Sequence, residues 1–185
     1  NICAKSKFDG CLTFVLGENG MDLAMKFGLP ANQILKTGNW VGPLLVAAAE
    51  NRVKKLLLFG YHGKLVKLSG GIFHTHHHLA DGRIEILTSL AVREGISFDL
   101  IQLISKSTSV EHALLTLEAS NPESVPLIWG RMAKEIEIKS RSYVNRYLSS
   151  TMEIGSVLFD RKRQIRWAGF KGLEQINSLG LILKS

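Results

Sequence analysis

With 185 residues, 45% of them apolar and 21% charged, the chain has the balance of a globular domain with one well-filled core, which excludes disordered and fibrous classes. A net charge of +7 favours an anionic partner, whether phosphate, polycarboxylate or nucleic acid. The apolar stretches fall far short of the roughly 18 to 20 residues that span a bilayer, so the sequence predicts a soluble, cytoplasmic protein with no membrane partner.

Cys3 and Cys11 show no metal-type spacing and read as free thiols. Residues 11–16 (CLTFVL) form a continuous apolar run stopped by Gly17-Glu18-Asn19-Gly20, which reads as a buried strand and its turn. Residues 21–27 follow a helical pattern closed by Gly28 and Pro30. A short strand at 33–36 leads to Gly38, and then Asn39 is placed to cap a helix in which Pro43 falls near the first turn. A second buried strand, 56–59, runs into Gly60-Tyr61-His62-Gly63. Two strands thus end in Gly-x-x-Gly, which suggests neighbouring loops facing one crevice.

Further on, Ala80, Ile84, Leu87 and Ala91 recur at helical spacing up to Gly95. Short helices at 98–104 and 110–117 follow, and Asn121-Pro122 opens a long helix with Arg131, Lys134, Lys139, Arg141 and Arg146 outside. Beyond Gly155, strands at 156–159 and 165–168 flank a basic turn, and residues 173–179 close with a helix. The predicted fold class is α/β: a layered domain with a mostly parallel central sheet flanked by helices, plus a C-terminal strand pair. The whole of 1–185 is expected to be a single domain.

The stretch 54–85 concentrates glycine, cation and imidazole beyond any packing need, with Lys64, Lys67, His74, His76, His77, His78, Asp81, Arg83 and Glu85 in close order. It is neither a P-loop nor a dinucleotide fingerprint. The backbone of Gly60–Gly63 can cradle a carboxylate beside Lys64 and Lys67, or be a plain turn. The histidines can bind an anionic or polar ligand, hold a metal or sit solvated, and no metal is assigned. His77, Asp81 and Glu85 stack only if the following helix starts early. Asp81 and Glu85 fit an acid/base pair or a solvated helix face. Residues 161–167 fit a nucleic-acid grip or a charged hairpin tip, and acidic residues in every helix argue against nucleic acid.

Gly38-Asn39-Trp40-Val41-Gly42-Pro43, the run Lys54 to Gly60, Gly63-Lys64-Leu65-Val66-Lys67-Leu68, Gly70-Gly71-Ile72-Phe73-His74-Thr75-His76, and Ala80-Asp81 with Glu85 resemble the CbiD-type cobalt-precorrin-5B C1-methyltransferases of anaerobic cobalamin synthesis. Family members are about twice as long, so the resemblance implies the carboxyl-terminal part of a two-part enzyme, with the missing amino-terminal half as partner and a homo-oligomer left open. It implies methyl transfer from S-adenosylmethionine to C1 of an anionic cobalt-tetrapyrrole, with cobalt carried by the substrate rather than the protein. In this reading Gly17, Glu18, Gly20, Asn39 and Gly42 hold the donor, Lys64, Lys67, His74 and Arg83 grip the substrate, and His76 or Asp81 manages a proton. Position 74, where the family pattern has asparagine, is His74 here. The alternative is a non-catalytic anion- or metal-binding α/β module using the cluster from His74 to His78.

Overall fold

The computed structural model describes residues 8–17, 20–76, 78–79 and 81–183. Five strands, β1 (Cys11–Leu16), β2 (Ile34–Thr37), β3 (Lys55–Tyr61), β4 (Glu153–Phe159) and β5 (Ile165–Ala168), form one sheet in the order β2-β1-β3-β4-β5. The first four are mutually parallel and β5 runs antiparallel to β4, as the α/β expectation with a terminal strand pair required.

Alternation of side chains along each strand feeds two cores. Leu12, Phe14 and Leu16 of β1 with Leu56 and Leu58 of β3 face one side; Val15, Leu57 and Phe59 face the other. Both faces are covered, so these strands read as unbroken apolar runs. The second face is closed by α1 (Met21–Phe27) and α8 (Phe170–Ser178). The first is closed by α2 (Val41–Glu50), α3 (His62–Ser69), α4 (Arg83–Arg93), α5 (Phe98–Ser105), α6 (Val110–Ser120) and the long α7 (Ser124–Asn145). Trp129, wholly buried, anchors α7 in that larger core.

Several boundaries differ from the sequence expectation. Gly60 and Gly63 do not form a loop: β3 extends through Tyr61 and α3 begins at His62. A Cβ on Gly63 would lie 2.5 Å from the Tyr61 ring, so this glycine serves close packing. Asn39 does not cap α2; Trp40 occupies that place, and the amides of Val41 and Gly42 donate to the Phe73 carbonyl instead. The helix expected from Ala80 starts at Arg83, after Gly82 in the left-handed region, so Asp81 lies outside it and the early-start stack with Glu85 does not form. The long helix expected to open at Asn121-Pro122 starts at Ser124 with Glu123 at the cap position, although Asn121 Oδ1 accepts from the Ser124 amide at 3.1 Å.

Candidate functional site

The chain leaves β1 towards β2 on one side and later runs from β3 to β4 on the other, so the direction of winding reverses between β1 and β3. At such a switch point the loops beyond the carboxyl ends of the strands part and leave a crevice, where open α/β sheets bind ligands. Gly17 follows β1 with φ of +100°, and a Cβ placed on it would meet, among the described residues, Lys64, whose Nζ would be 3.9 Å away. The two glycine-bearing strand ends picked out in the sequence are therefore neighbours, and Lys64, in the first turn of α3, reaches across between them.

One wall of the crevice is a short antiparallel contact between 39–40 and 73–75. Trp40 and His74 form a β-bridge, the Thr75 amide donates to the Asn39 carbonyl at 2.9 Å, and the Thr75 hydroxyl donates to Asn39 Oδ1 at 3.1 Å. The Trp40 ring meets His74 edge-on at 4.2 Å between centroids while remaining 64% exposed. His74 Nδ1 is buried with no hydrogen-bond partner among the described residues. His76 stands next in line, its ring 6.5 Å from that of His74, and its Nδ1 accepts from the His78 amide at 3.4 Å. No group of three or more His, Cys, Asp or Glu among the described residues is arranged to hold a metal ion.

The remaining predicted residues divide by environment. Lys67 is buried and donates from Nζ to the Thr75 carbonyl at 3.3 Å; desolvation pulls its pKa below the ordinary lysine value. It thereby ties α3 to the segment that carries His74 and His76. Arg83 donates to Asp81 through Nε and Nη2 at 2.5 and 2.8 Å, and this fork-like pairing holds the Asp81 carboxyl below its usual range. Gly20 and Gly42 are packing glycines: a Cβ on the first would strike Val15 at 2.6 Å, and on the second the Tyr143 hydroxyl at 2.5 Å. Glu18 and His77 lie outside the described residues.

Behind the crevice lies a polar network that sequence reasoning missed. His62 is completely buried; Trp129 donates its indole N–H to His62 Nδ1 at 2.8 Å, and His62 Nε2 lies 2.8 Å from Glu111 Oε2. The Tyr61 hydroxyl donates to the same carboxylate oxygen at 3.4 Å, and burial together with the Glu111 charge pushes the Tyr61 pKa up to about 12. Burial lowers the His62 pKa, with Glu111 opposing it. The partners are 49 and 67 residues from His62 in the chain, so no local pattern could have announced them.

The sheet order defines the class: an open α/β domain with a switch-point crevice, flanked by Lys64, at the carboxyl ends of its strands. A family model described as CbiD, C-terminal domain, matches residues 74–169. The chain belongs to the CbiD family and carries its carboxyl-terminal domain. A protein of Prochlorococcus marinus strain NATL2A named cobalt-precorrin-5B C(1)-methyltransferase is 87% identical over 182 residues, 98% of this chain and 48% of that protein. A second of the same name, from strain MIT 9313, is 56% identical over 178 residues, 96% of this chain and 46% of the relative. The chain thus spans about half the length of the relatives it matches. No solved structure matches it. No helix among the described residues is long and apolar enough to cross a membrane.

Proposed function

We propose that this chain is one folded domain, 1–185, of a methyltransferase acting at C1 of cobalt-precorrin-5B in cobalamin biosynthesis, and that the crevice between β1 and β3 is where donor and macrocycle meet. The observation that carries the proposal is the approach of Lys64 to Gly17 at the switch point of a domain whose relatives bear that activity as their name. The donor is S-adenosylmethionine, which supplies an electrophilic methyl group on a sulfonium when bound; cobalt belongs to the substrate.

The residues present fit such a donor. Gly17, at positive φ, and Gly38, with nothing within 4 Å of the place a Cβ would take, leave main chain open to close approach by a ligand. Asn39 is held by Thr75 at the same rim. In this reading the main chain from Gly17 to Gly20, including Glu18, and from Asn39 to Gly42 holds the donor. Lys64 pairs with substrate carboxylates, His74 offers its buried Nδ1 to a polar substituent, and Arg83 presents the outer face of its guanidinium while Asp81 fixes it. Lys67 acts through the 72–75 segment it anchors. His76 is the residue placed to take or give a proton, because Asp81 is committed to Arg83. Methyl transfer needs in-line placement and exclusion of water more than acid/base power, so a rigid crevice suits it.

Methylation of cobalt-precorrin-5B by the full-length enzyme carrying Lys64→Ala tests the proposal. A rise in KM for the tetrapyrrole of about tenfold or more, the loss of one charge-assisted contact, is the expected result. An unchanged kcat/KM would remove the crevice from consideration.

A further inference from the structure

A cavity of about 1220 Å³ lies beside β5 and not at the crevice. Its position relative to the sheet is informative. Leu23, Phe27 and Leu181 wall it from the core on one face of the sheet, while Leu114, Val125 and Trp167 wall it from the other. Its floor is the consecutive run from Gln164 to Trp167, the edge strand itself. Both helical layers therefore overhang β5. The outer edge of β5 meets no strand among the described residues. The space left has the form of a sixth strand position: apolar above and below, with main-chain donors and acceptors along its inner side.

An exposed edge that templates pairing is ordinarily blunted by charge, proline or a covering element. Here Arg166, the one cation within β5, is turned to Asp160 at 3.4 Å and to Glu118 at 2.5 Å and so is occupied inside the domain. The edge is recessed instead. Two recessed edges cannot meet, because the overhanging helices of two copies would collide first, so a second copy of this domain does not fill the groove edge to edge. Its volume lies above the roughly 300 to 1,000 Å³ of common small-molecule pockets. Glu111, Glu118 and Asp160 line it beside Lys26, Lys162, Arg163 and Arg166, a mixed set whose charges nearly cancel and which gives no strongly basic surface for a polycarboxylate macrocycle. A bare extended polypeptide satisfies both walls and the edge together.

The matched relatives carry about as much polypeptide again outside the region they share with this chain. We infer that an extended segment of that amino-terminal half docks in the groove and adds to β5 as a further strand. The inference rests on this chain being one domain of a longer enzyme and not on its chemistry. It also places the second half beside the carboxyl end of β4, on the same edge of the sheet as the crevice.

The test is photo-crosslinking in the full-length enzyme, with p-benzoylphenylalanine replacing Ile182 in one variant and Leu115 in another. Both positions line the groove and are exposed, at 78% and 47%, so neither replacement disturbs the core. The expected result, read by mass spectrometry, is an intramolecular link from at least one position to a peptide of the amino-terminal half. Links confined to this domain, links only between two molecules, or no link from either position would overturn the inference. The readout does not depend on methyl transfer, so a link would stand even if the assigned activity failed.

Discussion

Trp129 fixes the tautomer of His62. An indole N–H can only donate, so Nδ1 of the imidazole must accept and the single ring proton of the neutral form sits on Nε2, aimed at Glu111. Protonation would put two N–H groups face to face. Geometry and burial therefore agree that His62 stays neutral, with Glu111 and Asp160 pulling towards the charged form and Arg166 against it.

A pH dependence follows. The His62 pKa is depressed from its ordinary 6.5, so below that value the unfolded chain binds a proton that the folded chain refuses. Stability contributed at this position is present above pH 6.5 and is lost as pH falls towards the folded pKa. Urea unfolding of the protein and of His62→Gln at pH 7.5 and 5.5 measures it. The wild type is expected to lose more on acidification than the variant; equal losses would show that His62 titrates normally. At pH 7.5 the variant itself should be destabilised by about 1 to 3 kcal/mol, because Trp129 and Glu111 lose well-placed partners.

The approach of α8 to β4 predicts a sharp contrast between glycines. A Cβ on Gly172 would overlap the Ser156 carbonyl oxygen, and one on Gly155 would come within 2.7 Å of the Gly172 amide nitrogen. Neither backbone can yield without unseating the helix, so Gly172→Ala should destabilise by roughly 3 kcal/mol or more. Gly130, inside α7, has nothing within 4 Å of where its Cβ would stand, and Gly130→Ala should stabilise by about 0.5 to 1 kcal/mol. Thermal midpoints of the two variants decide it, and shifts of the same sign would refute the packing account.

Glu137, on α7, is the acceptor that makes this approach tolerable. One carboxylate oxygen receives the amides of Ser156 at 3.0 Å and Gly172 at 2.8 Å, and the other receives that of Lys171 at 3.1 Å. Burial nonetheless raises its pKa above the ordinary carboxylate value, the three amides only partly offsetting the lost hydration. Glu137→Ala should destabilise by roughly 3 kcal/mol or more, since it strands those amides, whereas Glu137→Gln keeps an acceptor and should cost about 1 kcal/mol. A raised carboxyl pKa makes the wild type gain on Glu137→Gln as pH falls through the folded pKa, the opposite sense to His62. Unfolding of both variants at pH 7 and pH 5 checks magnitude and sign.

Lys64 and Lys67 separate function from support. Lys64→Ala should weaken substrate binding by the full-length enzyme while lowering the thermal midpoint less than Lys67→Met does. Lys67→Met should lower stability by about 1 to 3 kcal/mol, because the Thr75 carbonyl loses its buried donor. Reversed effects would exchange the two roles.

The central strands β1, β3 and β4 were legible because each holds an apolar run bounded by glycine or charge, and the layered class followed from the alternation of strands with helical periodicity. The loop read into Gly60–Gly63 failed for a packing reason: the Gly60 hydrogen faces Leu65 and Leu16, with a Cβ there meeting them at 3.1 and 3.3 Å, and the Gly63 hydrogen faces the Tyr61 ring. Glycine in sequence does not distinguish a turn from a tight contact. Lys64 and Gly17 could be suspected as neighbours from their parallel strand ends, but nothing local marks Lys67 as buried, since the segment that covers it returns from 72–75. The His62, Glu111 and Trp129 network and the groove beside β5 depend on where α6, α7 and the hairpin meet, which periodicity does not specify.

The seamless passage from Tyr61 to His62 constrains how the crevice can vary. With no connecting residue between strand and helix, inserting one residue there would turn α3 by about 100° and swing Lys64 out of the crevice. A change of length around Gly38, between β2 and α2, meets no such coupling, because connecting residues separate strand from helix there. The side of the crevice that carries the lysine is thereby a fixed reference against which the opposite bank is set.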